Sequence, residues 1–150
     1  MAEVTNFEEY LKENGTLTYS NVGTSMMPLL RQHRDLFTVK CKGRERCKVG
    51  DVVLYTRPPD RYVLHRVVEV RPKDYVILGD NCAAKEYGIT EDRILGIMIS
   101  YVRKGREHSI NDRSYRLYSW YIMHTIPVRL FFKRINLRLR RFAKKLIYGK

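Results

Sequence analysis

The sequence predicts a mainly β domain with minor α: a curled, partly closed antiparallel sheet, a short helix before it and a basic amphipathic helix after it. Three observations predict this. Short runs rich in Val, Ile, Leu, Tyr and Phe recur between residues 36 and 102, separated by clusters of Gly, Pro, Asp or Asn. Residues 1–112 are nearly balanced, with eighteen Lys or Arg against sixteen Asp or Glu. Residues 113–150 carry eleven Lys or Arg and no acid, and their apolar residues recur at helical spacing. The 150 residues therefore divide into a β body over 1–112 and a basic helical tail over 113–150.

The elements follow in order. Phe7 to Lys12 is a short helix: Asn6 is a cap, Glu8 and Glu9 favour the first turn, and Gly15 follows its end. Leu36 to Cys41 is a strand of β formers, and Lys42 to Glu45 turns. Val49-Gly50-Asp51 leads into a strand over Val52 to Tyr55, and Pro58-Pro59-Asp60 turns again. Tyr62 to Val70 is a long β-branched run, Arg71 to Asp74 a turn, and Tyr75 to Leu78 a fourth strand closed by Gly79-Asp80-Asn81. Ile94 to Val102 is the fifth. In the tail, Val128, Phe131, Phe132, Ile135, Leu139, Phe142 and Leu146 make one stripe. Pro127 starts this helix or kinks a longer one that begins near Ser119.

Several classes are disfavoured. Cys41, Cys47 and Cys82 are odd in number and irregular in spacing, so they form neither a disulfide framework nor a zinc site. Free thiols in a reducing cytosol are the expectation, with Cys41 and Cys47 facing each other across a hairpin as the alternative. The acidic N-terminal stretch has no apolar core, which argues against a secretory signal, so a cytoplasmic location is the expectation. The tail's longest stretch without an ionic residue, Leu117 to Val128, is twelve residues, short of the roughly 20 that span a bilayer. No cofactor and no metal are expected.

Chemistry centres on Ser25, in Gly23-Thr24-Ser25-Met26-Met27-Pro28-Leu29-Leu30. A serine hydroxyl is a weak nucleophile until a neighbour takes its proton. Of the four histidines, His33 and His108 lie in polar, turn-like surroundings and His124 in the tail. Only His65 lies within an apolar strand, which can hold an imidazole still and whose neutral form has the basicity the task needs.

These segments together resemble the signal peptidase-like serine peptidases, a superfamily that includes the self-cleaving SOS-repressor proteins. The likeness runs from about Leu17 to Arg103. Gly23 to Pro28 resembles the nucleophile box G-x-S-M-x-P, and Gly50-Asp51-Val52-Val53 the segment before the base strand. His65-Arg66-Val67-Val68 resembles the base box, Gly79-Asp80-Asn81 the G-D-N box, and Glu91 to Gly96 the closing strand. Most bacterial members carry Lys-Arg in the base box. His65-Arg66 is similar to the endoplasmic-reticulum and archaeal type.

The resemblance implies a Ser25–His65 pair completed by a carboxylate that fixes the imidazole's tautomer. Asp80 and Glu86 are the two candidates, and Asp80 is preferred because a short side chain after a tight glycine turn is better held. Arg66 is no base, since a guanidinium does not deprotonate usefully. Met26 and Met27 are expected to wall the groove, and Pro28 to keep the segment out of a helix. The Ser25 backbone N–H would meet the oxyanion. Many family members add a serine hydroxyl at the place Gly23 occupies here, which leaves Thr24 or a backbone group as substitute.

The expected function is a serine endopeptidase that cuts an extended precursor or leader peptide, with small residues beside the cut. The alternative is a non-catalytic or self-cleaving regulator that binds peptide or nucleic acid on the same fold. Against nucleic acid, the chain shows no helix-turn-helix pattern before the sheet and lacks the repressors' base lysine. The expected partners are thus a peptide or protein substrate and an anionic membrane surface, met through residues 119–148 at the inner face of the cell membrane. The competing reading packs the apolar stripe on the protein's own sheet.

Overall fold

The computed structural model describes residues 6–149; the first five residues of the acidic N-terminal stretch and Lys150 lie outside that range. Helix α1 spans Phe7–Asn14. The Asn6 side chain accepts from the N–H groups of Glu8 and Glu9, satisfying donors that the first turn leaves free. Its apolar face buries Phe7 and Leu11 against the sheet, worth about 1.5–3 kcal/mol per side chain before the entropy of ordering is subtracted.

Eight strands follow: β1 (Thr16–Ser20), β2 (Leu36–Cys41), β3 (Val52–Arg57), β4 (Arg61–Val70), β5 (Tyr75–Leu78), β6 (Glu86–Ile89), β7 (Ile94–Arg103) and β8 (Arg106–Ser109). All pairings are antiparallel, in the order β1-β2-β7-β3-β4-β5-β6. β8 pairs with β7 beyond the end of β3, along the same edge. The fold is mainly β with minor α, and the five apolar runs of the sequence are β2, β3, β4, β5 and β7. Register shifts at Thr38/Val39, Leu54/Tyr55, Val67/Glu69 and Tyr75/Ile77 bend the sheet. It curls without closing.

Both faces are covered, as β3 shows. Val52 and Leu54 enter one core with Leu11, Leu17, Val39 and Met98. Val53 and Tyr55 point the other way, into a second core with Val67, Tyr75, Ile77 and Ile94. A strand buried on both faces has no polar alternation, which is why Val52 to Tyr55 reads as one apolar run.

Helices α2 (Arg113–His124) and α3 (Ile126–Tyr148) complete the chain. Pro127 lies in the first turn of α3, so it starts that helix, and a separate helix from Arg113 precedes it. The division at residue 112 does not follow the packing. Tyr115 of α2 enters the first core, and Ile126 and Leu130 of α3 pack on Leu78. Cys41, Cys47 and Cys82 are free thiols. Among the described residues, no helix is long and apolar enough to cross a membrane.

Candidate active site

The β4 strand aims its side chains alternately. Leu64 belongs to the first core, while His65 and Val67 face the second. Tyr55 of β3 points to that same side. So does Glu86, which opens β6 and pairs with Ile77, itself the partner of Val67. The register thus gathers Tyr55, His65 and Glu86. His65 Nδ1 lies 3.2 Å from the Tyr55 hydroxyl and 3.3 Å from Glu86 Oε1. Arg57 holds Glu86 in turn, with Nε 3.2 Å from Oε2 and Nη2 on Oε1, and donates to the Tyr55 oxygen at 3.3 Å.

His65 is buried, and burial is the largest influence on it, lowering its pKa; Glu86 pulls the other way and Arg57 adds to the lowering. The imidazole is therefore neutral at neutral pH. In the tautomer that places its proton on Nδ1, facing Glu86, the lone pair is on Nε2.

Ser25 approaches from the loop between β1 and β2. Met26, Leu29 and Leu30 sink into the first core and fix the loop from below. This corrects the expected groove wall: Met26 is a core residue at 1% exposure, and neither methionine lines the cleft. The far end of the loop is pinned by buried Asp35, which accepts from the Arg31 N–H at 2.8 Å and from Arg34 Nε and Nη2 at 2.7 and 2.8 Å. Burial works to raise the Asp35 pKa, but the Arg34 and backbone hydrogen bonds overcome it and hold the carboxyl at about 2. Near the serine, the Asn81 N–H donates to the Ser25 carbonyl at 2.7 Å and Asn81 Nδ2 to the Thr24 carbonyl at 3.1 Å. Gly23 has φ 86°, a conformation that strains a side-chain-bearing residue, so the backbone here suits glycine.

Gly79 is the meeting point. A Cβ there would lie 2.9 Å from His65 Nε2, 2.9 Å from the Ser25 carbonyl oxygen and 2.6 Å from Cys82 Sγ. Ser25 and His65 are thus neighbours across a glycine with no room for a side chain. Both line one cleft of about 570 Å³, with Arg57, Tyr62, Cys82 and Glu86. Among the described residues, no hydrogen bond joins Ser25 Oγ to the imidazole; Cys82 Sγ lies 3.9 Å from Nε2. In unliganded sites such bonds are often long and tighten only with substrate.

Asp80 is placed elsewhere. Its carboxylate takes a two-point ion pair from Arg66, 2.8 Å from both Nε and Nη2, and a hydrogen bond from the Tyr118 hydroxyl at 2.8 Å. The structure thus reverses the preference between the two acids: Glu86 is the carboxylate at the imidazole. An aspartate on the same turn as its glycine faces back into the body, where the Arg66 fork reaches it first. Arg57 and Tyr55 belong to the site without having been singled out, and Asn81, quoted only as part of the G-D-N box, anchors the serine loop. Arg57 and Tyr55 reach Glu86 and His65 through the pairing of β3 with β4, β4 with β5 and β5 with β6, which is not visible in any one segment.

Compared with models of known protein families, with curated proteins and with solved structures, the chain matches none.

Proposed function

We propose that the chain is a serine endopeptidase in which Ser25 is the nucleophile, His65 its general base and Glu86 the carboxylate that orients the imidazole. The observation that carries this reading is the approach of the Ser25 main chain and of His65 Nε2 to Gly79 in one cleft that both residues line, with Glu86 on the opposite ring nitrogen. His65 Nε2 takes the Ser25 hydroxyl proton as Oγ adds to the scissile carbonyl carbon. Glu86 steadies the imidazolium so formed. The Ser25 backbone N–H meets the oxyanion. The C–N bond then breaks, the leaving amine takes the proton from Nε2, and water repeats the sequence on the acyl ester.

The sheet supports an extended peptide as substrate. β4 pairs with β3 along its whole first half, but with β5 only from Arg66 onward. Residues Arg61 to His65 therefore present one unpaired edge beside the cleft, among the described residues. A peptide laid along that edge gains main-chain hydrogen bonds and is led to His65. Val22, Tyr62 and Val63 supply the apolar wall that the methionines do not.

The test is labelling by a fluorophosphonate, which reacts with activated serines. Labelling of the wild type, lost in both Ser25→Ala and His65→Ala, is the expected result. Unchanged labelling of Ser25→Ala overturns the assignment. No labelling of a folded wild type favours a peptide-binding module that does no chemistry.

A further inference from the structure

Helix α3 leaves the body after Leu130. From Phe131 to Tyr148 every residue is exposed except half-buried Lys133. The apolar stripe therefore does not pack on the protein's own sheet. At about 100° per residue, Val128, Phe131, Phe132, Ile135, Leu139, Phe142 and Leu146 fall within an arc of about 100°. Ile126 and Leu130, which grip Leu78, lie on the opposite side of the helix. The stripe thus points away from the catalytic body. Leu137, Ile147 and Tyr148 lie off it.

The charges complete the pattern. α3 contains eight Lys or Arg and no acid. Arg134, Arg138 and Lys145 border one edge of the stripe, and exposed Arg140 lies toward the other, where Arg129 is turned inward onto the Asp80 and Ile122 carbonyls. Cations on both sides of an apolar strip suit a flat anionic surface that the strip can enter while the flanks meet headgroups. A protein groove would have to supply acids along both rims, and a nucleic-acid groove would leave the aromatic stripe in a polar setting.

We infer that α3 is an interfacial helix that docks on anionic lipid, stripe toward the acyl chains, with the catalytic body on the aqueous side. The helix is tied to the cleft as well. Arg129 Nη1 donates to the Asp80 carbonyl at 2.6 Å and Lys133 Nζ to the Asn81 side chain at 2.7 Å. A docked helix therefore holds the turn beside Ser25 and His65 at a set height above the lipid. The docking itself does not depend on the peptidase reading.

The experiment is co-sedimentation of the full chain with vesicles of phosphatidylcholine alone and of phosphatidylcholine with added phosphatidylglycerol. Binding to the anionic vesicles at least about tenfold above the neutral ones, weakened by salt, is expected. The double variant Leu139→Glu with Phe142→Glu lies on the bare part of the helix, so it should keep the wild-type melting temperature and lose the binding. No binding to either vesicle, equal binding to both, or undiminished binding of the variant overturns the inference. So does self-association, or retention on duplex DNA, in place of vesicle binding.

Discussion

The Asp80 carboxylate lies against the Arg66 guanidinium, both side chains buried, with two 2.8 Å contacts between them. The remaining Arg66 nitrogen donates to the Gly50 carbonyl at 3.0 Å, the Ser119 hydroxyl at 2.9 Å and the Tyr115 hydroxyl at 3.3 Å. Burial works to lower the Arg66 pKa, but the Asp80 charge prevails and drives it above the ordinary guanidinium value, so the guanidinium stays charged. Such a pair joins β4, the 79–82 turn and α2. Its role is structural.

Asp80→Ala strands a buried cation. The expected cost is about 3–5 kcal/mol, a fall in melting temperature on the order of 10 °C. Glu86→Gln should leave the melting temperature near wild type and slow fluorophosphonate labelling about 10²- to 10⁴-fold, because the imidazole loses the partner that sets its tautomer. Melting curves and labelling rates on the two variants check this. The reverse pattern, with Asp80→Ala inactive but stable, would return Asp80 to the catalytic role.

The acid limb of labelling follows His65. Burial depresses its pKa, so activity should hold at neutral pH and fall only below the ordinary imidazole value of about 6.5. Arg57 lowers the His65 pKa, so Arg57→Ala should move the limb to higher pH. Glu86 raises it, so Glu86→Gln should move the residual limb to lower pH. Labelling rate against pH for the three proteins measures this; a limb that moves with neither substitution excludes His65 as its source. The same depression makes unfolding take up a proton. Stability contributed by neutral His65 is present above about 6.5 and lost as pH falls toward the folded value.

Gly79→Ala should abolish labelling while leaving most of the sheet intact. The added methyl would meet a backbone oxygen and a ring nitrogen, neither the end of a flexible chain, both at 2.9 Å. Circular dichroism and labelling together check it. Wild-type labelling in a folded Gly79→Ala protein would show that the three groups can separate without loss.

Cys82 is a second nucleophile type in the cleft, with Sγ 3.9 Å from His65 Nε2, yet burial pushes its pKa up and keeps it a thiol. Cys82→Ala should label within a fewfold of wild type, as a spectator requires. Loss of labelling in Cys82→Ala with retention in Ser25→Ala would assign the chemistry to sulfur.

Most of the architecture is legible in the sequence because burial on one or both faces writes apolar runs into β2, β3, β4, β5 and β7. β1, β6 and β8 are not legible that way. Thr16 to Ser20 buries only Leu17, Glu86 to Ile89 only Ile89, and Arg106 to Ser109 no residue fully. These strands exist because a neighbour offers hydrogen bonds, and pairing leaves little trace in one strand's composition. At the site, Ser25 and His65 are conspicuous as a hydroxyl at a loop corner and an imidazole in an apolar strand. The choice between Asp80 and Glu86 turns on which cation reaches each acid, Arg66 or Arg57, and those distances arise only when β4, β5 and β6 align. Met26 misleads for a similar reason: a methionine beside a loop serine serves a groove or a core equally well until the loop's depth is known.

The turn from Gly79 to Cys82 touches the imidazole through Gly79 and grips the serine's carbonyl through Asn81. The two sides of the cleft are therefore gauged from a common reference. A displacement of this one turn would thus alter the gap between the Ser25 corner and the His65 ring without either strand having to move.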